Sequence, residues 1–263
     1  MSPGLGLTRD PYLMVSDTNM WVNVGKSQFH LPSGAAQVLR GHTGIVISGR
    51  EALLERLASV AKKLEGTAFA FSEHNDYVEA ICPWGNRVRC YEPDAARFGR
   101  ITLGIPYVEF DVPVGTAKAH LRASIPRSWG CRPNSRTATA PWRASRSART
   151  STCNSARPTG AQPEFDGHHV QIYITDFSGP YRKLWERGLV SQEDNQYQYR
   201  FRDIVDLAGG RHLFTVEHEV RSATHPMYMR PLVNRNPARD QPHLRARPRA
   251  MGLGDGPDEY DRR

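Results

Sequence analysis

Five polar residues stand in apolar stretches whose alternation is typical of strands. Around Glu109, His169 and Glu217, apolar residues occupy every second position, so these side chains should lie on the faces opposite the core. Imidazole and carboxylate groups suit divalent Fe, Zn, Mn or Ni, and a bound metal can polarise a substrate oxygen. We therefore predict Glu109, His169 and Glu217 as metal ligands, with Glu219 as a substitute for Glu217 if a bulge shifts the register. Glu217 and Tyr173 are the predicted catalytic residues.

A second polar set, in the N-terminal half, is predicted to line a ligand cleft. By the same alternation, its members are His30, His42, Arg87 and Arg89. Two arginines make such a cleft basic, which favours an anionic ligand over a cation. Structural roles stay open for all of these residues: histidines at strand starts are often surface groups, Glu109 could pair with an arginine, and the stretch around Glu217 could be a solvated strand end.

The elements that must position His42 and the two arginines form one unit over 42–93. An apolar strand comes first, and Ser48 and Glu51 then have the spacing of a capping box. Apolar residues at helical spacing follow, and Gly66 stands where a helix-ending glycine is expected. Three short strands complete an order of strand, helix, strand, strand, strand, which we call a module.

The same order recurs over 164–233, which makes it a structural repeat rather than a sequence repeat. Its strands are predicted at 169–174, 197–202, 203–206 and 212–220, with a helix at 181–188. Partial copies precede it. The N-terminal half, 1–100, begins with a truncated module, and 101–118 resembles the first strand of a third module.

The segment 119–163 differs in composition from the rest of the chain. Nine basic residues lie from Lys118 to Arg157 with no acidic residue among them, so the formal net charge of +8 belongs largely to this segment. It contains too few apolar residues to offset the entropy of ordering, and we predict that it is disordered. The tail, 234–263, is predicted to be disordered as well.

Two origins are open for this basic segment. One is a reading-frame slip in a GC-rich gene, which yields such a residue bias, and the other is a genuine disordered insertion. Trp129 and Trp142 could stack on bases, but a run of this kind is usually unstructured, and we do not expect nucleic-acid binding.

Four motifs resemble the vicinal oxygen chelate superfamily, which includes glyoxalases, bleomycin-resistance proteins and extradiol dioxygenases. They are Gln28-Phe-His-Leu-Pro32, Pro83-Trp-Gly-Asn-Arg87, Gly104-Ile-Pro-Tyr-Val-Glu-Phe110 and His168-His-Val-Gln-Ile-Tyr-Ile174. The resemblance covers 11–117 and about 164–233. It implies an α+β fold in which paired βαβββ modules form curved mixed sheets around a cleft. One module would be interrupted by the disordered segment rich in Arg, Ala, Ser and Pro.

The resemblance also implies a function. Clefts of this superfamily often hold a divalent metal bound by His and Glu from the first and last strands of modules, so we expect a glyoxalase-like or dioxygenase-like protein acting on a small oxygenated metabolite. The sequence departs from the pattern, because Cys82 replaces an Asp in the characteristic turn and two modules are incomplete. The alternatives are a metal-free small-molecule binder, like the bleomycin-resistance branch, and an inactive truncated product.

Composition limits the setting and the partners. The 263 residues contain no apolar run long enough to span a membrane, and the four cysteines form no CxxC pair. We expect reduced thiols, a cytoplasmic location and a small-molecule ligand. Strand edges left by the incomplete modules could pair with a second chain, which makes a homodimer possible.

Overall fold

A computed structural model describes most of the chain outside the basic segment and the tail. The described residues are 2–9, 19–113, 153–159, 163–206 and 209–229. Within them, strands form sheets of three, four and six strands, which is an α+β fold as predicted. None of the described helices is long and apolar enough to cross a membrane. The predicted disordered segments 119–163 and 234–263 lie outside the described residues, apart from 153–159 and residue 163.

The predicted module over 42–93 is present. Its elements are β4 (Gly41–Ile47), α2 (Arg50–Ala61) with a 3-10 turn (Lys62–Leu64), β5 (Ala70–Glu73), β6 (Val78–Ile81) and β7 (Arg87–Tyr91). The strands lie in the order β5-β6-β7-β4, and the first strand, β4, runs parallel to the last, β7. This arrangement confirms the order of strand, helix and three strands.

The start of α2 differs from the prediction. Gly49, with a left-handed φ of 85°, is the N-cap and has no side chain with which to cap the helix, so the capping box of Ser48 and Glu51 is wrong. The carboxylate of Glu92 instead accepts a hydrogen bond from the backbone N of Arg50 at 2.7 Å. A distant residue thus covers one of the amides that a helix start leaves unpaired.

The fourth module repeats this topology. Its elements are β10 (His169–Ile174), α4 (Ser178–Trp185), β11 (Val190–Asn195), β12 (Gln198–Val205) and β13 (His212–Ser222). The order is β10-β13-β12-β11, with β10 parallel to β13. The helix begins three residues before the predicted start. The predicted strands 197–202 and 203–206 are one strand, and β11 was not predicted because five of its six residues are exposed and polar.

The incomplete modules add the remaining elements. These are α1 (Ser2–Leu5), β1 (Thr8–Arg9), β2 (Asn19–Val24), β3 (Ser27–Pro32), α3 (Ala95–Phe98), β8 (Leu103–Pro113) and β9 (Cys153–Thr159). The hairpin β2–β3 carries β1 on one edge. Strand β8 extends the second module by pairing antiparallel with β4, and β9 pairs parallel with β8. Strand β9 lies within 119–163, the segment predicted to be disordered, and the sequence did not predict this strand.

Two apolar cores hold the layers together. The first packs the hairpin and α2 onto the six-stranded sheet, with Val22, Ile45 and Leu57 among its buried residues. The second joins β8 to the fourth module through Phe110 and Ile172, among others. Burial of such side chains from water is the main favourable contribution to folding.

Alternation of burial along β10 follows the prediction. Val170, Ile172 and Ile174 are buried, while the residues between them are partly exposed. On β13, His218 stacks on Phe201 and belongs to the core side, as predicted. Glu217 and Glu219 are also buried, at 7% and 4% exposure, so this stretch is not a solvated strand end.

Candidate ligand-binding site

The predicted metal ligands lie in two different sheets. His169 and Glu217 are neighbours in the parallel register of β10 and β13. Glu109 lies on β8 in the six-stranded sheet, opposite His42. Among the described residues, no group of three His, Cys, Asp or Glu side chains is close enough to hold a metal ion. The structure therefore does not assemble Glu109, His169 and Glu217 into one metal centre.

The carboxylate of Glu217 forms ion pairs with two arginines. Arg200 Nη1 lies 2.6 Å from Oε1, and Arg202 Nε lies 2.8 Å from Oε2. Burial alone would raise the pKa of Glu217, but the hydrogen bonds from Arg202 and Arg200 hold that pKa below its usual value. The carboxylate is thus ionised and already compensated.

Glu219, the predicted substitute, is held in the same way. Its Oε1 lies 2.6 Å from Arg221 Nη2, and its Oε2 accepts a hydrogen bond from Arg200. A dication at Glu217 or Glu219 would lie among three guanidinium groups, which repel it. The residues present do not fit a metal at this position.

A cavity of about 1160 Å³ lies on the polar side of β10. Its walls come from β3, α2, the β6–β7 turn and β10, and they are largely apolar. Residues on these walls include Phe29, Leu31, Leu57, Val60, Phe69, Trp84, Ile105 and Met227. A volume of this order, with a mainly apolar lining, is typical of small-molecule sites.

The structure brings two predicted residues together in this cavity. The rings of His30, on β3, and His169, on β10, meet edge to face with centroids 6.3 Å apart. His30 also stacks on Trp21 at 4.4 Å. Burial, reinforced by the nearby His169, lowers the pKa of His30, so the imidazole of His30 is uncharged at neutral pH.

The other members of the predicted N-terminal cleft are separated from this pair. Arg87 lines the cavity, but Arg87 and Arg89 share the carboxylate of Glu79 at 2.9 and 3.2 Å. His42 is 1% exposed and is not a cavity residue. The predicted set of His30, His42, Arg87 and Arg89 is therefore not one cleft, because His42 faces a different neighbour.

The neighbour of His42 is a pair of buried tyrosine hydroxyl groups. Tyr107 OH lies 3.2 Å from His42 Nε2 and 2.7 Å from Tyr91 OH. On the other side of the imidazole, His42 Nδ1 lies 3.5 Å from Glu109 Oε1. The backbone of Gly44 allows this arrangement, since a Cβ there would be 2.3 Å from a Tyr107 ring carbon. Polar groups packed this closely serve chiefly to satisfy one another.

Tyr173, the predicted catalytic phenol, does line the cavity. Burial raises the pKa of Tyr173, although nearby Arg221 opposes the shift. Arg221 Nη1 donates to the phenol oxygen at 3.3 Å. The hydroxyl therefore stays protonated at neutral pH, which makes it a hydrogen-bonding group of the wall.

Sequence reasoning missed an aspartate–histidine pair at the start of β10. Asp166 Oδ1 lies 2.7 Å from His168 Nδ1 and accepts the His168 backbone N–H at 3.0 Å. Gly167 between them has a φ of 92°, a left-handed conformation that glycine adopts without strain. Both Asp166 and His168 line the cavity. The signal that could have found them is Asp-Gly-His directly before a buried strand.

Three buried polar atoms on cavity-lining residues stand out. His30 Nε2, His168 Nε2 and Gln171 Nε2 have no hydrogen-bond partner among the described residues. Burying an unpaired polar group costs about 1–3 kcal/mol. Three such atoms mark places in the cavity wall where the described part of the fold leaves hydrogen-bonding capacity unused.

Comparisons with solved structures bear on the fold. A crystal structure from Bacillus subtilis, named as a candidate dioxygenase, has a TM-score of 0.52 at 16% identity and covers 86% of this chain and 80% of that chain. Together with the two βαβββ modules, this likeness decides the architecture. The fold is of the vicinal oxygen chelate type. At 16% identity the likeness concerns the fold alone.

Two further structures align less closely with this chain. The CppA protein of Streptococcus pneumoniae gives a TM-score of 0.42 at 11% identity, covering 83% of this chain and 88% of that one. A catechol 2,3-dioxygenase gives 0.31 at 12% identity, with coverage of 89% and 84%. No protein-family model matches the sequence, and no curated protein matches it.

Proposed function

We propose that this protein binds a small organic molecule in the cavity between β3 and β10, without a metal at the predicted ligands. The observation that carries the proposal is the cavity of about 1160 Å³ with mainly apolar walls, whose polar lining residues include His30, His168 and Gln171. Apolar walls supply affinity, and a few convergent polar atoms fix orientation. The ligand therefore has an apolar or aromatic body that carries oxygen.

The charges around the site support a metal-free mode of binding. Glu217 and Glu219 are neutralised by two arginines on the neighbouring strand β12 and by Arg221 on β13 itself. Glu109, the third predicted ligand, lies on a different sheet beside His42. Dioxygenase or glyoxalase chemistry that needs a cation at these three residues would have to displace several ion pairs, and we derive no metal-dependent step.

Binding of two aromatic probes tests the proposal. The full chain is titrated with 4-nitrophenol and with its methyl ether, 4-nitroanisole, and heat is measured by calorimetry. In Gln171→Leu the side chain keeps its approximate size but loses its amide donor, and we expect a loss of about fivefold to tenfold in affinity, the usual value of one hydrogen bond. The matched control is Gln192→Leu, on the exposed strand β11, which should bind as the wild type does.

Two results would contradict the proposal. One is no measurable heat with either probe, or with a panel of substituted phenols and anisoles. The other is equal affinity in Gln171→Leu and in the wild type, which would place the probes outside the cavity.

A further inference from the structure

The charged side chains on the cavity wall are mostly basic. Among the described residues that line the cavity, one is acidic, Asp166, and four are basic, namely Arg9, Lys26, Lys63 and Arg87. Both oxygens of Asp166 are engaged, since Oδ1 lies 2.7 Å from His168 Nδ1 and Oδ2 accepts the backbone N–H of Val38 at 2.6 Å. The wall therefore carries an excess of positive charge, and its carboxylate already has partners.

Three of the four basic side chains lack an ionic partner in the described part of the chain. Arg87 is the exception, because it pairs with Glu79 at 2.9 Å. Arg9, Lys26 and Lys63 are exposed and form no ion pair with another described residue. A cleft bordered by charges of one sign attracts ligands of the opposite sign. The cavity is therefore suited to a ligand that carries negative charge.

Lys26 and Lys63 extend from two different elements that border the cavity. Lys26 follows Gly25 in the turn between β2 and β3. Gly25 has a φ of 63°, and a Cβ there would clash with the backbone oxygen of Leu103, so glycine lets this turn pack closely on the start of β8. Lys63 stands three residues after Val60, a spacing that puts both side chains on one side of the helix, and both line the cavity. The fold thus places two basic side chains at the cavity from separate directions in the sequence.

The apolar walls offer more room than one aromatic ring would fill. The cavity volume of about 1160 Å³ lies above the range of about 300–1,000 Å³ that is usual for small-molecule pockets. Aliphatic side chains of α2 and of the turn that follows it, Leu57, Val60 and Leu64, share these walls with Leu31 of β3. A long aliphatic chain along such walls would gain about fourfold in affinity for each buried CH₂ group.

We propose that the ligand is an amphiphilic anion, a carboxylate on a long aliphatic chain, with its charge at Lys26 and Lys63 and its chain along the apolar walls. Both lysines are exposed, so water screens the ion pairs that they form with the head group, and the chain supplies most of the affinity. The charge decides which of several long-chain molecules binds best. This inference rests on the proposed function, because it names the class of ligand for the same cavity.

Three probes of equal chain length and different charge test the inference. They are decanoate, decan-1-ol and decylammonium, and the full chain is titrated with each at neutral pH by calorimetry. We expect decanoate to bind about fivefold more tightly than decan-1-ol, the upper value for one exposed ion pair, and decylammonium to bind most weakly. Hexanoate, which is shorter by four CH₂ groups, should bind more than about tenfold more weakly than decanoate.

A matched pair of double variants locates the charge that the head group meets. In Lys26→Gln with Lys63→Gln, the preference for decanoate over decan-1-ol should fall from about fivefold to less than about twofold. The control is Lys62→Gln with Lys183→Gln, which removes the same net charge at two exposed lysines that do not line the cavity. Lys62 is the chain neighbour of Lys63, so the control also tests the same turn. It should keep the wild-type preference.

The outcomes separate the two proposals. If decan-1-ol and 4-nitroanisole bind but decanoate binds no more tightly than decan-1-ol, the anionic ligand is wrong and the binding function stands. Equal affinities for hexanoate and decanoate would overturn the inference as well, since the chain would then lie outside the apolar walls. An equal loss of preference in the two double variants would overturn the assignment of Lys26 and Lys63, because the effect would follow net charge alone. If no probe binds, both proposals fail together.

Discussion

The second and fourth modules share one topology but use their polar faces differently. In both modules the first strand runs parallel to the last, β4 beside β7 and β10 beside β13. His42, on β4, is 1% exposed and packs against Tyr107. His169, on β10, is partly exposed and lines the cavity. The first strands of the two modules thus place His42 among buried polar side chains and His169 beside the cavity.

The neighbours of the first strand account for this difference. Strand β4 lies between β7 and β8, and β8 supplies Tyr107 and Glu109 to the face that carries His42. Strand β10 has a single neighbour, β13, in the described part of its sheet. Its polar face meets β3 of the hairpin across open space, through His30. The additional strand β8 thus buries His42 in the second module. The hairpin β2–β3, which faces β10, leaves His169 beside the cavity in the fourth.

Removing Arg200, in the fourth module, should cause the largest loss of stability among the changes that we propose. Arg200 is paired with both Glu217 and Glu219, whose side chains are 9% and 5% exposed. In Arg200→Met two buried carboxylates lose a shared partner, and unfolding in urea should show a loss of about 3 kcal/mol. In the second module Arg87 pairs with a single carboxylate, that of Glu79, which Arg89 also contacts, so Arg87→Met should cost less than the loss of a partner shared by two carboxylates.

A triple variant is the control for Arg200→Met. Adding Glu217→Gln and Glu219→Gln removes the two buried carboxylates that lose Arg200 and should restore part of the lost stability. If Arg200→Met is as stable as the wild type, the carboxylates do not depend on the arginines, and the argument against a metal at this position loses its basis.

Substituting Gly44 should affect the closed site of the second module by a smaller amount. A Cβ at Gly44 would lie 2.3 Å from a ring carbon of Tyr107, so Gly44→Ala must displace the tyrosine and disturb its hydrogen bonds to His42 and Tyr91. Inserting a carbon into a packed region typically costs 1–3 kcal/mol, and we expect about 2 kcal/mol by urea unfolding. Gly44 and Tyr107 do not themselves line the cavity, so probe binding should change less than stability does.

The control for this variant is Gly209→Ala. No described atom lies within 4 Å of a Cβ built at Gly209, and the change should be close to neutral. Equal destabilisation of both variants would show that Gly44 is needed for backbone freedom in general rather than for Tyr107.

Patterns that depend on burial were readable in the sequence. The alternation of Val170, Ile172 and Ile174 predicted the core face of β10, because one buried face imposes a period of two on a strand. Helical spacing predicted α2 for a similar reason. Strand β11 escaped detection because its edge position exposes it and removes the need for apolar residues.

Pairings between distant strands were not readable. Glu217 and His169 were correctly placed on one face, but no pattern in the sequence shows that β12 brings Arg200 and Arg202 against the same carboxylate. Likewise, Glu109 alternates like a cleft residue, yet the register of β8 with β4 sets it opposite His42. Residue type and face are local properties, whereas the charge that a side chain meets depends on the register of its neighbours.

Metal loading should have the smallest effect on stability and binding among these tests, and its result bears on both modules. Three arginines around Glu217 and Glu219 oppose a dication in the fourth module, and Glu109 lies apart in the second. We therefore expect dialysis against a chelator, and later addition of Fe(II), Zn, Mn or Ni, to leave both the melting temperature and the affinity for 4-nitroanisole unchanged. A tightly bound metal would instead raise the melting temperature, with the logarithm of the ratio of its concentration to its Kd. A stoichiometric ion that is lost in His169→Ala, but retained in the exposed control His212→Ala, would mean that the arginines move aside and that the open site is a metal centre after all.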